Sequence, residues 1–306
     1  MNTTIKHNNL TWINLLSPSA KEIHELAKEY PIHSLIAEEL TSLTMRPKVD
    51  VYEENLYFVL HFQSLNQSHE CELDFVIGKD FLITVQYDHF LPLEKFIKNA
   101  QNKEDFKEKL FESAKATTLS LNILKELYNF SSQQLDKIYI KTTKVEEGIF
   151  GGKEKENVKE ISFLKRDILD FQRSFYLHGD VLSSFEQAFK DNNHDGFFEK
   201  EFGNKLSALI GEHSKIRALL QNSKETTETL HQTNESLLST KTNEIMKTLT
   251  IMAFITFPLM LLSGVFGMNT VHTPIIGARG DFWIITVAMI TATFGMFAIF
   301  KKKGWL

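Results

Sequence analysis

The amino-acid sequence predicts an α+β cytosolic domain, in which a small sheet carries packed helices, followed by a long stalk helix and two transmembrane helices. Three patterns support this prediction. Short runs of β-branched and aromatic residues, separated by turns, occupy the first third of the chain. Apolar residues then recur with the helical period of about 3.6 residues. Two long segments near the C-terminal end contain no charged residue.

The N-terminal third is predicted to form a small sheet with helices packed on it. Ser17-Pro18-Ser19 followed by Glu22 is typical of a helix start. Only a short turn, Gly78-Lys79-Asp80, separates the last two predicted strands, so we expect them to pair as an antiparallel hairpin. The predicted strands are residues 56–62, 72–77 and 81–86.

Helical periodicity dominates from about residue 91 onwards. Three glycines, at positions 148, 151 and 152, predict a break after the first long helix. A second helix is predicted from about Glu156 to Lys190, a turn at 191–196, and one continuous helical stretch from about Phe197 to Met268. The cytosolic part of that last stretch is too polar to bury a wide apolar stripe. It therefore needs neighbours, and we expect copies of the chain around a common axis to supply them.

Two uncharged segments are long enough to cross a membrane. Thr248–Met268 holds 21 residues and Phe282–Phe300 holds 19. At about 1.5 Å per residue, each spans a hydrocarbon layer of about 30 Å. Lysines flank both segments on their outer sides, whereas Arg279 and Asp281 cancel in the loop between them. The positive-inside tendency then predicts that both termini are cytoplasmic.

Composition restricts the class of protein further. The net charge is −5, but the residues after Thr240 carry +4, so the rest of the chain is acidic at −9. An acidic domain of this kind either favours cations near a pore mouth or is simply an ordinary cytosolic surface. Cys71 is the only cysteine, which fits a reducing cytoplasm and a packing role. No apolar stretch follows Met1, so we expect no cleaved signal peptide.

Six segments are expected along the chain. Their predicted bounds are 1–195 for the cytosolic α/β and helical domain, 196–247 for the stalk helix, 248–268 for the first transmembrane helix, 269–281 for the external loop, 282–300 for the second transmembrane helix and 301–306 for a basic cytosolic C-terminus.

Gly267-Met268-Asn269, at the end of the first uncharged segment, resembles the signature of the CorA family of divalent-cation channels. The stretch 243–250 resembles the family's entry into the first membrane helix, and Lys301-Lys302-Lys303-Gly304-Trp305-Leu306 resembles its basic-aromatic C-terminus. Trp12-Ile13-Asn14-Leu15 and Arg46-Pro47-Lys48-Val49 resemble its N-terminal landmarks. The resemblance implies a homopentamer in the bacterial inner membrane, with Mg²⁺ as the transported and regulatory ion. Co²⁺ and Ni²⁺ are further candidate ions.

One face of the first membrane helix is the expected pore lining. A rhythm of three and four residues that starts at Asn243 selects uncharged, mostly small or soft side chains. Such a lining has no carboxylate to strip an ion of its water, and Mg²⁺ gives up its hydration shell reluctantly. Amide oxygens of Asn243 and Asn269 can accept hydrogen bonds from those waters. The residues assigned to pore and gate are Asn243, Met246, Leu249, Thr250, Ala253, Phe257, Met260 and Gly264.

The resemblance assigns three further roles. It implies that Gly267, Met268 and Asn269 form the outer selectivity ring, and that Lys301, Lys302 and Lys303 form a basic collar at the inner mouth. Met246, Leu249 and Phe257 are the expected hydrophobic constrictions. The family's regulatory sites use carboxylates between subunits, for which this chain offers Asp74, Asp80, Asp88 and Glu212. For each of these residues, ordinary packing, lipid anchoring or solvation is the alternative.

The external loop departs from the family pattern. It keeps Pro274 but lacks the glutamate found in magnesium-transporting members, and it carries His272. These features resemble the zinc-transporting ZntB branch, which implies proton-coupled Zn²⁺ transport as an alternative function. One histidine falls short of the three or four ligands of a zinc site.

A third hypothesis is that the hairpin only tethers a scaffold or sensor to the membrane. An enzyme is not expected, because the sequence has no phosphate-binding glycine loop, nucleophile elbow or clustered metal-ligand spacing. The expected partners are other copies of the chain, membrane lipid and divalent cations, with no nucleic acid.

Overall fold

The computed structural model describes residues 2–44, 46–52, 54–65, 70–112, 115–191, 197–199, 201–268, 275–277 and 279–305. The chain divides into two compact units, Met1–His231 and Gln232–Leu306. The first unit contains the sheet and most helices. The second contains the end of the long helix and the C-terminal helix.

Within the described residues, one sheet has six strands, which are β1 (Thr3–His7), β2 (Leu10–Leu16), β3 (Lys48–Val51), β4 (Leu56–Phe62), β5 (Cys71–Ile77) and β6 (Phe81–Gln86). Their order across the sheet is β1-β2-β6-β5-β4-β3. All neighbouring strands are antiparallel except β2 and β6, which are parallel. The predicted hairpin is confirmed, since β5 and β6 pair from Leu73 opposite Gln86 to Ile77 opposite Leu82.

The central strands are buried on both faces, which explains their nearly continuous apolar sequence. Every residue of β4, β5 and β6 is buried. Side chains alternate across the sheet, so Phe58 and Phe75 stack in the core under the long helices, whereas Tyr57 and Val59 pack on the opposite face with the two short helices at 20–29 and 34–39. Cys71 is buried in the first of these cores, as expected for packing.

The helices begin and end largely where local chemistry predicts. Ser19 and Glu22 form the predicted capping box at the start of α1. Gly152 has a φ of +85°, and the Lys153 amide donates to the Gly148 carbonyl oxygen, which ends α5 at the predicted glycines. The helices are α1 (Ala20–Glu29), α2 (Ser34–Glu39), α3 (Leu91–Asn102), α4 (Glu104–Leu110), α5 (Ala116–Phe150), α6 (Glu154–Tyr176), α7 (His178–Asp191), α8 (Phe202–Phe266) and α9 (Asp281–Lys302).

The predicted single helix from Glu156 to Lys190 is wrong, because the chain interrupts it at Leu177. The His178 Nε2 lies 2.8 Å from the His61 carbonyl oxygen, and the Tyr128 hydroxyl lies 3.1 Å from its Nδ1. These tertiary bonds compensate for the interrupted helix, and Gly179 lowers the local helix propensity. Apolar periodicity does not reveal such a bond to a distant strand. Most of the predicted turn at 191–196 lies outside the described residues.

The first part of α8 has its neighbours within its own chain. Phe202, Leu206, Leu209, Ile216 and Leu220 are all buried in the main core of the first unit. The expectation that copies of the chain supply the neighbours of this polar helix is therefore wrong for its first part, where the core of the same chain supplies them.

The buried His178 makes the stability of the fold depend on pH. Burial lowers its pKa to about 3, so the folded protein keeps it neutral where the unfolded chain takes up a proton. Its contribution is complete above the unfolded pKa of about 6.5 and is lost as the pH falls towards 3. Relative to His178→Gln, the wild type should lose about 2 kcal/mol of unfolding free energy between pH 7.5 and 5. Urea titrations of the full-length protein in detergent measure this difference, and parallel pH profiles would contradict it.

Candidate ion pathway

A seam joins the two apolar helices of the second unit. On α8, the buried and half-buried side chains from Ile251 onwards, apart from Ala253, recur at steps of three or four residues, as expected for one helix face. The Phe254 and Phe300 rings lie 6.4 Å apart, and the Lys247 Nζ donates to the Gly304 carbonyl oxygen at 3.4 Å. The hairpin seam, as we call it, comprises Ile251, Ile255, Leu259, Leu262 and Phe266 on α8, with Ile285, Met289, Ala292, Met296 and Phe300 on α9.

The predicted pore residues lie on the opposite face of α8. At about 100° per residue, their mean direction is about half a turn away from the seam. Met246, Leu249, Phe257 and Met260 are each more than half exposed within the chain. Asn243, Thr250 and Gly264 are also exposed, and only Ala253 is half-buried. This pore face, as we call it, is a continuous and uncharged surface without a partner within the described residues of the chain.

Two glycines near the end of α8 have different surroundings. A Cβ added to Gly264 would meet nothing within 4 Å, so the pore face is open at this position. A Cβ added to Gly267 would lie 2.9 Å from the Ser263 carbonyl oxygen, which accepts the Gly267 amide at 2.9 Å. Met268 follows as the last described residue before the loop. Asn269 and His272, both singled out in the sequence, lie outside the described residues.

The basic cluster lies at the C-terminal end of α9. Lys301 and Lys302 are its last residues, where positive charge is favoured by the helix dipole. Lys303 caps the helix, and its Nζ lies 5.8 Å from the centre of the Trp305 ring. Trp305 in turn stacks on Phe300 at 5.8 Å. Because the Lys247 ammonium also reaches Gly304, the lysines of both helices gather at one end of the hairpin.

The comparison with known families supports the assignment of this hairpin to a membrane protein. Residues 7–302 match the model of the family described as CorA-like Mg²⁺ transporter protein. The chain belongs to this family. The match covers nearly the whole sequence, including both apolar helices and five of the six strands. The two helices, which are long and apolar enough to cross a membrane, are therefore those of a membrane protein.

Individual members of the CorA family are similar at low identity. The chain is 25% identical over 304 residues to the cobalt/magnesium transport protein CorA of Thermotoga maritima, which covers 97% of this chain and 83% of the relative. It is 23% identical over 304 residues to the cobalt/magnesium transport protein CorA of Methanocaldococcus jannaschii, with 97% and 92% covered. The complete structure of the CorA magnesium transporter from Methanocaldococcus jannaschii has a TM-score of 0.81 at 20% identity and covers 99% of this chain and 94% of that one. The predicted fold class is confirmed.

The four carboxylates proposed for a CorA-like regulatory site do not gather within one chain. Asp80 and Asp88 are exposed, and Glu212 is half-buried on α8. Burial, and then the charge of Glu212, raise the pKa of Tyr128. Within the described part of the chain, no three His, Cys, Asp or Glu side chains are close enough to hold a metal ion.

Asp74 differs from the other three because it is completely buried. Its Oδ2 accepts hydrogen bonds from the Tyr87 hydroxyl at 2.9 Å and the Tyr57 hydroxyl at 3.1 Å. Burial, and then the nearby Glu72, raise its pKa well above the usual value. A buried carboxyl group whose Oδ2 already accepts two hydrogen bonds, and whose pKa is raised, is poorly suited to bind a dication. The alternating strand pattern around Asp74 gave no sign of the two tyrosines that enclose it.

Sequence reasoning also missed the arrangement around Asp281. The charge pattern assigns Asp281 only the role of cancelling Arg279, but its carboxylate accepts hydrogen bonds from two backbone amides, those of Gly277 and Phe282. Its position as the first residue of an apolar helix, after a glycine, is a signal for such a role.

Gly267 should be required for its lack of a side chain. In Gly267→Ala, the added methyl group would push the Ser263 carbonyl away and weaken the last hydrogen bond of α8. We expect amide hydrogen exchange at residues 265–268 to rise roughly tenfold. The matched control is Gly295→Ala on an exposed part of α9, where the methyl group meets nothing within 4 Å. Equal exchange in the two variants would contradict this explanation.

Proposed function

We propose that the chain is one subunit of a homo-oligomeric channel that conducts hydrated divalent cations, with Mg²⁺ as the principal ion. The observation that carries this proposal is the position of the uncharged pore face, which lies opposite the hairpin seam. If α9 covers the seam side, the pore face is the side of α8 left for an axis shared with other subunits.

Assembly follows from what two helices can and cannot enclose. One hairpin has no lumen, so a single subunit cannot conduct. Within the chain, only 6% of the most apolar segment of α8 is buried, and none of the most apolar segment of α9 is buried. The apolar outer surface of the α8–α9 hairpin is suited to contact lipid. The polar side chains of Asn243 and Thr250 are better suited to a water-filled axis between subunits. We propose a pentamer on the CorA pattern, in the bacterial inner membrane, with both termini cytoplasmic.

Conduction of a hydrated ion suits the chemistry of the pore face. Mg²⁺ keeps an octahedral shell of waters that act as hydrogen-bond donors. The Asn243 and Asn269 amide oxygens can accept these bonds. The Thr250 hydroxyl donates to the Met246 carbonyl at 2.8 Å, which leaves its own lone pairs free to accept from water. The Gly-Met-Asn segment would form the outer selectivity ring.

Gating belongs to the same proposal. Met246, Leu249 and Phe257 would form hydrophobic rings that close the pore by excluding the hydrated ion. The lysines at 301–303 would surround the inner mouth. Cytosolic Mg²⁺ would hold the subunits together through carboxylates at their contacts, for which Asp80, Asp88 and Glu212 are accessible and Asp74 is not.

Ion flux into proteoliposomes tests the proposed function directly. The purified protein should admit Mg²⁺, and Co²⁺ and Ni²⁺ to a lesser extent, with the pH clamped on both sides. Asn269→Ala should lower Mg²⁺ influx roughly tenfold, because the outer ring loses hydrogen bonds to the hydration shell. Thr270→Ala is the neighbouring control.

Two other outcomes would replace the proposal. Transport of Zn²⁺ that stops when the proton gradient is removed would establish the ZntB-like alternative. Vesicles that admit no dication, from a protein whose Asn269→Ala variant is otherwise unaffected, would favour the tether of a scaffold or sensor.

Cysteine cross-linking tests the assembly separately from transport. The native Cys71 is buried, so an introduced cysteine is the accessible one. Under oxidation in membranes, Met260→Cys on the pore face should give disulfide-linked dimers of the chain. Leu259→Cys, one residue away on the hairpin seam, should not. The reverse pattern would place the shared axis on the wrong side of α8.

A further inference from the structure

A cavity of about 600 Å³ lies at one end of the sheet, within the first unit. Three turns meet there: the β1–β2 turn contributes Asn9, the β3–β4 turn contributes Tyr52 and Glu54, and the β5–β6 turn contributes Lys79 and Asp80. This volume is in the range of binding sites for small organic molecules, which is about 300–1,000 Å³. None of the described residues that line the cavity belongs to the pore face.

Aromatic side chains form much of the wall of this cavity. The Tyr30 and Phe81 rings lie 5.2 Å apart, and so do the Phe197 and Phe198 rings. Phe81 and Phe198 are buried, whereas Tyr30, Tyr52 and Phe197 are only half-buried and keep accessible surface. The faces of aromatic rings attract organic cations, and such cages are a known way to recognise ammonium groups. We call this space the aromatic cavity, and its aromatic residues are Tyr30, Tyr52, Phe81, Phe197 and Phe198.

The two turns that carry the carboxylates are held by hydrogen bonds within the chain. The buried Asn55 donates from its Nδ2 to the Glu54 carbonyl oxygen at 2.9 Å, and its own carbonyl oxygen accepts the Tyr52 amide at 2.8 Å. On the other turn, the Thr11 amide donates to the Asp80 carbonyl oxygen at 3.0 Å. A site whose backbone is fixed in advance loses less entropy when a ligand binds.

The charges that line the aromatic cavity favour a cation. Among the described residues they are the carboxylates of Glu54 and Asp80 and the ammonium group of Lys79, and all three side chains are exposed. The strand order places the β3–β4 and β5–β6 turns two strand spacings apart, which is about 10 Å. Two ammonium groups joined by a short methylene chain match two carboxylates at this separation.

The tyrosines of the cavity experience the same negative potential. Burial, and then the Asp50 and Glu39 carboxylates, raise the pKa of Tyr52. Burial, and then Glu29, raise the pKa of Tyr30. Carboxylates that disfavour a negative charge on these rings favour a positive charge beside them.

We propose that the aromatic cavity binds an aliphatic diamine of the polyamine class, with its methylene chain against the rings and its ammonium groups beside Glu54 and Asp80. This site goes beyond the proposed conduction of metal ions and does not rest on it. Hydrated Mg²⁺ gains little from apolar ring surface, whereas an alkyl diamine uses both the rings and the carboxylates. Because Asp80 is also a candidate for regulation by Mg²⁺, the two cations are compared in the test.

Isothermal titration of the full-length protein in detergent with 1,4-diaminobutane, at about 0.15 M salt, tests the site. Saturable binding of one diamine per chain is expected. Asp80→Asn, Glu54→Gln and Tyr52→Leu should each raise the dissociation constant roughly fivefold, whereas Tyr52→Phe, which keeps the ring, should not. Lys79→Gln should lower it roughly twofold, because a like charge is removed. Glu25→Gln, an exposed carboxylate on α1 outside the cavity, is the matched control and should bind as the wild type does.

Three results would overturn the proposal. The first is the absence of saturable binding to the wild type. The second is equal affinity for 1,4-diaminobutane and n-butylamine, which has a single ammonium group. The third is loss of diamine binding in an excess of Mg²⁺, which would show that the carboxylates alone form a metal site. Failure of Mg²⁺ flux in vesicles would remove the proposed function and leave this binding result unchanged.

Discussion

The packing of α8 against α9 along the hairpin seam is the constraint on which the remainder of the candidate pathway depends. Once aliphatic and aromatic side chains at steps of three or four residues commit one face of α8 to the seam, the opposite face is determined. That face is uncharged, and it keeps exposed small or soft side chains at Gly264 and Met260. The seam thus fixes which residues of α8 are left to face an axis between subunits, independently of the loop that follows.

The sheet of the first unit rests on a different principle, since its central strands are buried on both faces. Burial this complete leaves no water for polar side chains, so each one needs a protein partner. Asp74 accepts from two tyrosine hydroxyls, and His178 bonds to a strand carbonyl and to Tyr128. These bonds link the sheet to the helices that cover it. They also explain why burial shifts the pKa of both groups towards their neutral forms.

Local signals predicted local structure well. The capping box at Ser19, the β5–β6 hairpin and the glycine break after α5 each depend on a few adjacent residues, and all three are confirmed. The interruption at Leu177 was missed because the bond that compensates for it, between His178 and His61, joins residues 117 positions apart. Asp74 was proposed as a regulatory carboxylate for the same reason, since its tyrosine partners are distant in sequence. Of the candidate site, the pore face followed from periodicity, whereas the two hydrogen bonds that Asp281 accepts required coordinates.

The external loop lacks the glutamate of the family pattern, and this difference bears on the ion selectivity of the proposed channel. A glutamate in the external loop would add a negative charge near the proposed selectivity ring. The only carboxylate in the sequence of this loop belongs to Asp281, and both of its oxygens accept hydrogen bonds from backbone amides. In the proposed channel, an outer mouth of this kind would rely on neutral dipoles, which favour an ion that keeps its water over one that seeks direct ligands. Mg²⁺ is such an ion, whereas Zn²⁺ prefers imidazole and thiolate. The neutral loop and the uncharged pore face therefore support the same choice of ion, although they are built by different elements of the chain.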